Sequence, residues 1–250
     1  VIKAGRTEAG AKAASSHTGA LTGSDAVLNA MIERCGATRV RGMGELFQVC
    51  ECLAKQPRPT GKNLMIVTNA GGPGVLATDA LIADKGKLAS LSHETFDRLH
   101  AILPHAWSRG NPIDILGDAL PDRYAKSLEI CAQEKDAHGL LVVLTPQDMS
   151  EPTPTAELLA KHAQIGKPVL ASFMGGRDVL EAREVLCRAG IPSFNHADEA
   201  CLVFNTLARF PDQIRQLYSS DEPKDMLLEF KLDARSVSRP LIDQALQENR

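Results

Sequence analysis

His17 lies in the run Ala13-Ala14-Ser15-Ser16-His17-Thr18-Gly19-Ala20-Leu21, which reads as a small, hydroxyl-rich loop leading into a helix. An imidazole whose ordinary pKa is about 6.5 is mostly neutral near pH 7, so one ring nitrogen keeps a lone pair able to attack phosphorus. The other nitrogen needs an acceptor, and none is adjacent in sequence. A loop histidine bonded only to backbone is the alternative that the residue alone leaves open. A second group, Asn69-Ala70-Gly71-Gly72-Pro73-Gly74, follows an apolar run and opens a helix. Backbone N–H groups without intrahelical partners and the helix dipole favour an anion there by about 0.3–1 kcal/mol. A tight strand-to-helix turn would use the same glycines. The spacing matches neither GxGxxG nor GxxxxGK[ST], which argues against a dinucleotide fingerprint and a P-loop.

Asn111-Pro112-Ile113-Asp114 and Thr145-Pro146-Gln147-Asp148 supply further polar groups on loops at the same edge. Asp114 could orient a partner imidazole or cap its own loop. Gly175-Gly176 is a weaker glycine signal. The remaining histidines show no HxxxH pair, and no nucleophile turn of GxSxG type is present.

These groups need a scaffold, and the pattern supplies one. Thr22 and Asp25 make a capping signal for a helix with Val27, Leu28, Met31, Ile32 and Cys35 inward, closed by Gly36. A second helix runs over residues 45–54 with Leu46, Phe47, Val49, Cys50 and Leu53 inward, before the Pro-rich connector 56–61. From residue 63, short apolar runs at 64–67, 140–144 and 168–173 alternate with helices near 71–85, 94–102, 123–133, 157–164, 177–189 and 198–210, with a weak strand at 89–91. This βαβ alternation predicts an α/β fold, a flavodoxin-like doubly wound parallel sheet of about five strands with its ligand edge at the strands' carboxyl ends. The expected division is 1–58 as the C-terminal part of a second α/β domain, 59–218 as the flavodoxin-like domain, and 219–250 as a linker. One amphipathic stretch, Leu241, Ile242, Ala245 and Leu246, lies in the last segment.

With 250 residues, 44% hydrophobic, the chain can bury a real core. A net charge of −3 without a basic face, and 4% aromatic residues, make nucleic acid a poor partner. No apolar run is long enough to span a bilayer and no secretory leader opens the chain, so no membrane association is expected. Six cysteines scattered without CxxC pairs fit buried small hydrophobes in a reducing cytoplasm, not a zinc site. Val1-Ile2-Lys3-Ala4-Gly5-Arg6 reads as the end of a strand whose beginning is missing, so a fragment of a longer protein is expected.

Lys3-Ala4-Gly5-Arg6, Ser16-His17-Thr18-Gly19-Ala20-Leu21, Glu45-Leu46-Phe47, the run from Val67 to Asp79, and Asn111-Pro112-Ile113-Asp114-Ile115 together resemble the NDP-forming acyl-CoA synthetases, the ADP-forming acetyl-CoA synthetases and their relatives in the succinyl-CoA synthetase superfamily. The resemblance covers nearly the whole chain. It implies that an acyl-CoA reacts with phosphate to give an acyl phosphate, that the phosphoryl group passes to His17, and that a swinging loop carries it to ADP. On this basis Ser16, Thr18 and Gly19 form the histidine's loop; Asn69, Gly71, Gly72 and Gly74 bind phosphate at a helix start; Asn111 and Asp114 support the site. The glutamate that orients the histidine would precede Val1. CoA, ATP/ADP and Mg²⁺ would be held mostly by a CoA-binding Rossmann domain and an ATP-grasp domain or subunit outside the chain, leaving the segment alone inactive. Acetate or another small carboxylate is the acyl group this implies. Two other readings stand beside it: the ligase-like region of a protein lysine acetyltransferase fusion that senses acyl-CoA, and a flavin-binding flavodoxin-like module, for which the chain lacks the aromatic pair.

Overall fold

Apolar runs with no helical period become strands covered on both faces. In the computed structural model, which describes residues 1–18, 23–211 and 214, these are β1 (Asn63–Thr68), β2 (Lys87–Leu88), β3 (Ile113–Asp114), β4 (Gly139–Leu144), β5 (Val169–Phe173) and β6 (Ser193–Phe194). All pairs are parallel, in the order β2-β1-β4-β5-β6. Because β4 occupies one edge of β1 along its length, β3 must share the other edge with β2: Asn63 and Leu64 pair with β2, Val67 and Thr68 with β3. Without the two-residue β3, the order is the flavodoxin-like 2-1-3-4-5.

The gap between β2 and β3 is closed by a side chain. Asn111 Oδ1 accepts the Ile66 N–H at 3.0 Å, and its Nδ2 donates to the carbonyls of Leu64 (2.8 Å) and Ala89 (2.9 Å). The amide thus stands in for a strand residue where no strand runs.

Helices α1 (Glu8–Thr18), α2 (Asp25–Arg34) and α3 (Met43–Lys55) precede the sheet; α4 (Gly71–Ala83), α5 (His93–Ile102), α6 (Pro121–Ala132), α7 (Pro152–Ala160), α8 (Leu180–Arg188) and α9 (Ala197–Ala208) follow its strands. Alternate strand residues feed opposite layers. Met65, Val67, Leu140 and Val142 pack with Leu99, Tyr124, Leu128, Leu159 and Leu186 beneath α5–α8. Leu64, Ile66, Leu141, Val143 and Leu170 pack with Ala77 and Leu81 of α4, Phe204 and Leu207 of α9, and Val49 and Cys52 of α3. The helix α3 therefore contributes to the sheet's own core, and residues 1–214 form one compact unit.

Several expectations need correction. His17 is in the last turn of α1, not in a loop; the run EAGAKAASSHT is rich in alanine, the strongest helix former, so its small residues mean helix instead of flexibility. Residues 1–6 form no regular strand, although Val1 donates to Thr38 O and accepts from Val40 N. The apolar faces of the early helices are mostly open: only Ile32 of α2 and Val49 and Cys52 of α3 are buried, while Val27, Met31, Phe47 and Leu53 are exposed. Ser24, not Thr22, occupies the α2 N-cap position. The weak strand lies at 87–88, two residues before its expected place, and β3 and β6 were too short to show a period. All six cysteines are free, but Cys35, Cys50 and Cys187 are exposed; burial pushes the thiols of Cys52, Cys131 and Cys201 up to about 12. Gly19, Thr22 and the segment 219–250 with its amphipathic stretch lie outside the described residues.

Candidate functional site

In a doubly wound sheet the crevice opens where neighbouring strands send their connections to opposite faces. Here β1 continues into α4 on one face, while β4 continues into α7 on the other, so the crevice lies beyond the carboxyl ends of β1 and β4. The first turn of α4 stands at its rim. Ala70, the N-cap residue, provides no side-chain cap. Gly71 and Gly72 are exposed, and neither adopts the left-handed backbone that would demand glycine.

The three glycines of this turn do different things. A Cβ on Gly72 would meet nothing within 4 Å, and one on Gly71 only Asp114 Oδ2 at 3.4 Å. Their glycine identity thus leaves the uncapped N–H groups open to a ligand instead of solving a packing problem. On Gly74 a Cβ would meet Thr68 Cγ2 at 3.1 Å and Pro112 Cβ at 3.4 Å, so this glycine lets α4 close onto the end of β1.

The asparagines turn out to build the crevice, with their amides engaged by backbone. Asn69 is buried; its Oδ1 accepts the Thr145 N–H at 2.9 Å and its Nδ2 donates to the Thr145 carbonyl at 2.8 Å, tying the ends of β1 and β4 together. Asn111 is committed to the splice described above. Of the two roles the sequence left open to Asp114, the loop cap is the one formed: Oδ1 accepts the Leu116 N–H at 2.9 Å, while Oδ2 faces Gly71. A carboxylate there is stabilised by the helix dipole and shares the N-terminus with any anion that binds. Thr145, a crevice residue singled out only as one polar group of its loop, has a buried Oγ1 without a hydrogen-bond partner among the described residues. Such an orphaned hydroxyl is legible only in three dimensions.

His17 is exposed in the final turn of α1. Ser16 Oγ donates back to Ala13 O at 2.8 Å, and the hydrogen bonds from Gly10 and Ala11 also stay within the first turn of the helix and the residue before it. The helix buries no side chain among its described residues. Placed at a helix C-terminus, a phosphoryl group on His17 would meet the unfavourable end of the dipole. It therefore needs positive potential from elsewhere, of the kind the open start of α4 offers.

Residues 64–210, more than half the chain, match the Ligase-CoA domain, and residues 1–53 match the succinyl-CoA ligase like flavodoxin domain. The chain belongs to the Ligase-CoA domain family. It is 32% identical over 251 residues to the ADP-forming 4-hydroxybutyrate–CoA ligase of Nitrosopumilus maritimus, covering 100% of this chain and 35% of that protein. It is 38% identical over 210 residues to ADP-forming acetate–CoA ligase I of Archaeoglobus fulgidus, covering 84% of this chain and 30% of that protein. A solved Ca. Korarchaeum cryptofilum acetyl-coenzyme A synthetase 1, in complex with phosphate and ADP, superposes with a TM-score of 0.83 at 29% identity, covering 89% of this chain and 48% of that one. The chain thus spans about a third of the length of these two curated relatives, and its parallel sheet lies almost wholly in the residues that match the Ligase-CoA domain.

Proposed function

We propose that this chain is the phosphoryl-carrying segment of an ADP-forming acyl-CoA ligase, with His17 as the residue phosphorylated. The observation that carries the reading is the open first turn of α4, where exposed glycines with no packing duty leave uncapped N–H groups at the sheet's switch point. The histidine run and the ligase relatives supply the donor for that cradle.

In this reading phosphate attacks the acyl-CoA thioester, CoA leaves, and the acyl phosphate passes its phosphoryl group to a ring nitrogen of His17, releasing the carboxylate. ADP then takes the phosphoryl group to give ATP. Transfer of this kind needs charge stabilisation and positioning more than covalent help. Gly71 and Gly72 would present backbone N–H groups to the phosphoryl oxygens, Ser16, Thr18 and Gly19 would shape the surroundings of the imidazole, and Asn69, Gly74 and Asn111 would hold the cradle in place. Asp114 Oδ2 would accept an imidazole N–H. CoA, the nucleotide and its Mg²⁺ fall to a CoA-binding Rossmann domain and an ATP-grasp domain or subunit. The segments 1–58 and 59–218 are read as successive ligase modules, with 219–250 leading onward. Six free thiols favour the cytoplasm as the compartment.

Full-length protein incubated with γ-labelled ATP and Mg²⁺ should acquire acid-labile, base-stable phosphate, and His17→Ala should carry none. Equal labelling of the variant sinks the assignment. Because His17 is exposed, the thermal midpoint of the variant should match the parent, which separates loss of chemistry from loss of fold.

A further inference from the structure

A cavity of about 190 Å³ is lined by Arg6, Arg39, Arg41 and Arg209 together with Asn29 and Glu33. It lies far from the start of α4: Arg41 and Arg209 both bond to Asp84, the residue that caps the other end of that helix. Thirteen residues of helix separate the two ends, roughly 18 Å. Arg6 likewise precedes α1, whose far end carries His17.

The charges around the cavity do not balance. Asp25 Oδ1 serves both Arg39 at 2.6 Å and Lys3 at 3.5 Å. Asp84 serves both Arg41, at 2.7 Å, and Arg209. Glu33 accepts from Asn29 Nδ2 at 2.7 Å, and Asn29 Oδ1 accepts from Arg39 at 3.1 Å. Arg6 is exposed and has no ion-pair partner among the described residues. Glu45 accepts the Arg41 backbone N–H at 2.7 Å and the Thr206 hydroxyl at 3.0 Å, so Lys3 and the four arginines outnumber the carboxylates Asp25, Glu33, Glu45 and Asp84 by one. Arg39 spends only its two Nη groups and Arg41 only Nη2 on the bonds formed, so donors remain on both guanidinium planes. Several guanidinium forks with spare N–H groups and an excess of positive charge suit a tetrahedral oxyanion.

We propose that this cavity is a second oxyanion site, taking a phosphoryl group either as free orthophosphate or as the phosphate of an ester. Its occupant ties Arg6 before α1 and the α2–α3 connection to Arg209 after α9, and so fastens the start of the histidine-bearing helix to the sheet. The site does not depend on phosphorylation of His17.

Calorimetric titration of the full-length protein with orthophosphate, and separately with ADP, tests this. Orthophosphate should bind saturably. At this site Arg6→Gln should weaken binding about tenfold, Arg6→Lys less, and Arg6→Gln with Arg41→Gln should remove one binding event from the titration while leaving any at the start of α4, and His17→Ala retains it. If ADP binding falls in parallel at this site, the occupant is an ester; if only orthophosphate responds, it is the free ion. Arg6 is exposed and unpaired, so Arg6→Gln folds and decides the matter even where the double variant does not. Equal orthophosphate affinity in wild type and Arg6→Gln overturns the proposal. So does the absence of saturable binding, or equal displacement by sodium chloride at matched ionic strength, which would reduce the effect to screening.

Discussion

The helices α1 and α4 each carry one half of the proposed chemistry, and they are built in opposite ways. The first is alanine-rich, hydrogen-bonded to itself, and has no buried side chain among its described residues; its histidine sits at the electronegative end. The second buries Gly74, Ala77 and Leu81 against β1 and α9, and presents its electropositive end at the crevice. A carrier must leave one partner and reach another, so it gains from shallow attachment. A cradle must already be in place when charge arrives, so it gains from a rigid mount. The difference between the two helices is the one a relay requires.

The comparison can be broken by stability measurements. Leu81→Ala empties a fully buried position of α4 and should cost about 2–5 kcal/mol in urea unfolding, whereas Lys12→Gly in α1 should leave the midpoint of the global transition unchanged despite the local helix penalty. Comparable losses from both would mean that α1 is mounted as firmly as α4. Asn111→Ala leaves the Ile66 N–H and the Leu64 and Ala89 carbonyls without their partner, for an expected loss of about 1–3 kcal/mol. If hydrogen exchange at Ile66 stayed as slow as in the parent, the splice would not be what joins β2 and β3 to β1.

The smallest expected effect is the sharpest division within α4 itself. Gly74→Ala pushes a methyl against Thr68 and Pro112 and should destabilise by about 1–3 kcal/mol, while Gly72→Ala, with open space around it, should be neutral or stabilise by up to about 1 kcal/mol. Similar melting temperatures for both variants would remove the distinction between the packing glycine and the open ones.

The long strands and their helices were legible because continuous apolar runs such as Leu140 to Leu144 have one stable solution, burial on both faces between helices. The short pieces were not. A two-residue strand such as Ile113–Asp114 has no period to read, and it exists because Asn111 and β1 create a place for it. The early helices misled in the other direction: Val27, Met31 and Phe47 recur at helical spacing, yet spacing only says that a face is apolar, not what covers it. The small residues of the histidine run suggest a loop, although alanine favours helix more than any other residue.

Local chemistry, then, determined the sheet's core and the glycine-rich start of α4, because each depends on residue type and near-neighbour spacing, and it left the histidine's role open until the ordered motifs supplied a resemblance. Only the tertiary structure decided which polar groups remain free. Asn69 and Asn111 are consumed by backbone at Thr145, Ile66, Leu64 and Ala89, Asp114 caps Leu116 while facing Gly71, and Thr145 Oγ1 is left without a partner. Hydrogen-bonding capacity is a property of the residue, but its expenditure depends on neighbours about 20 to 75 positions away in the chain, which spacing alone cannot convey.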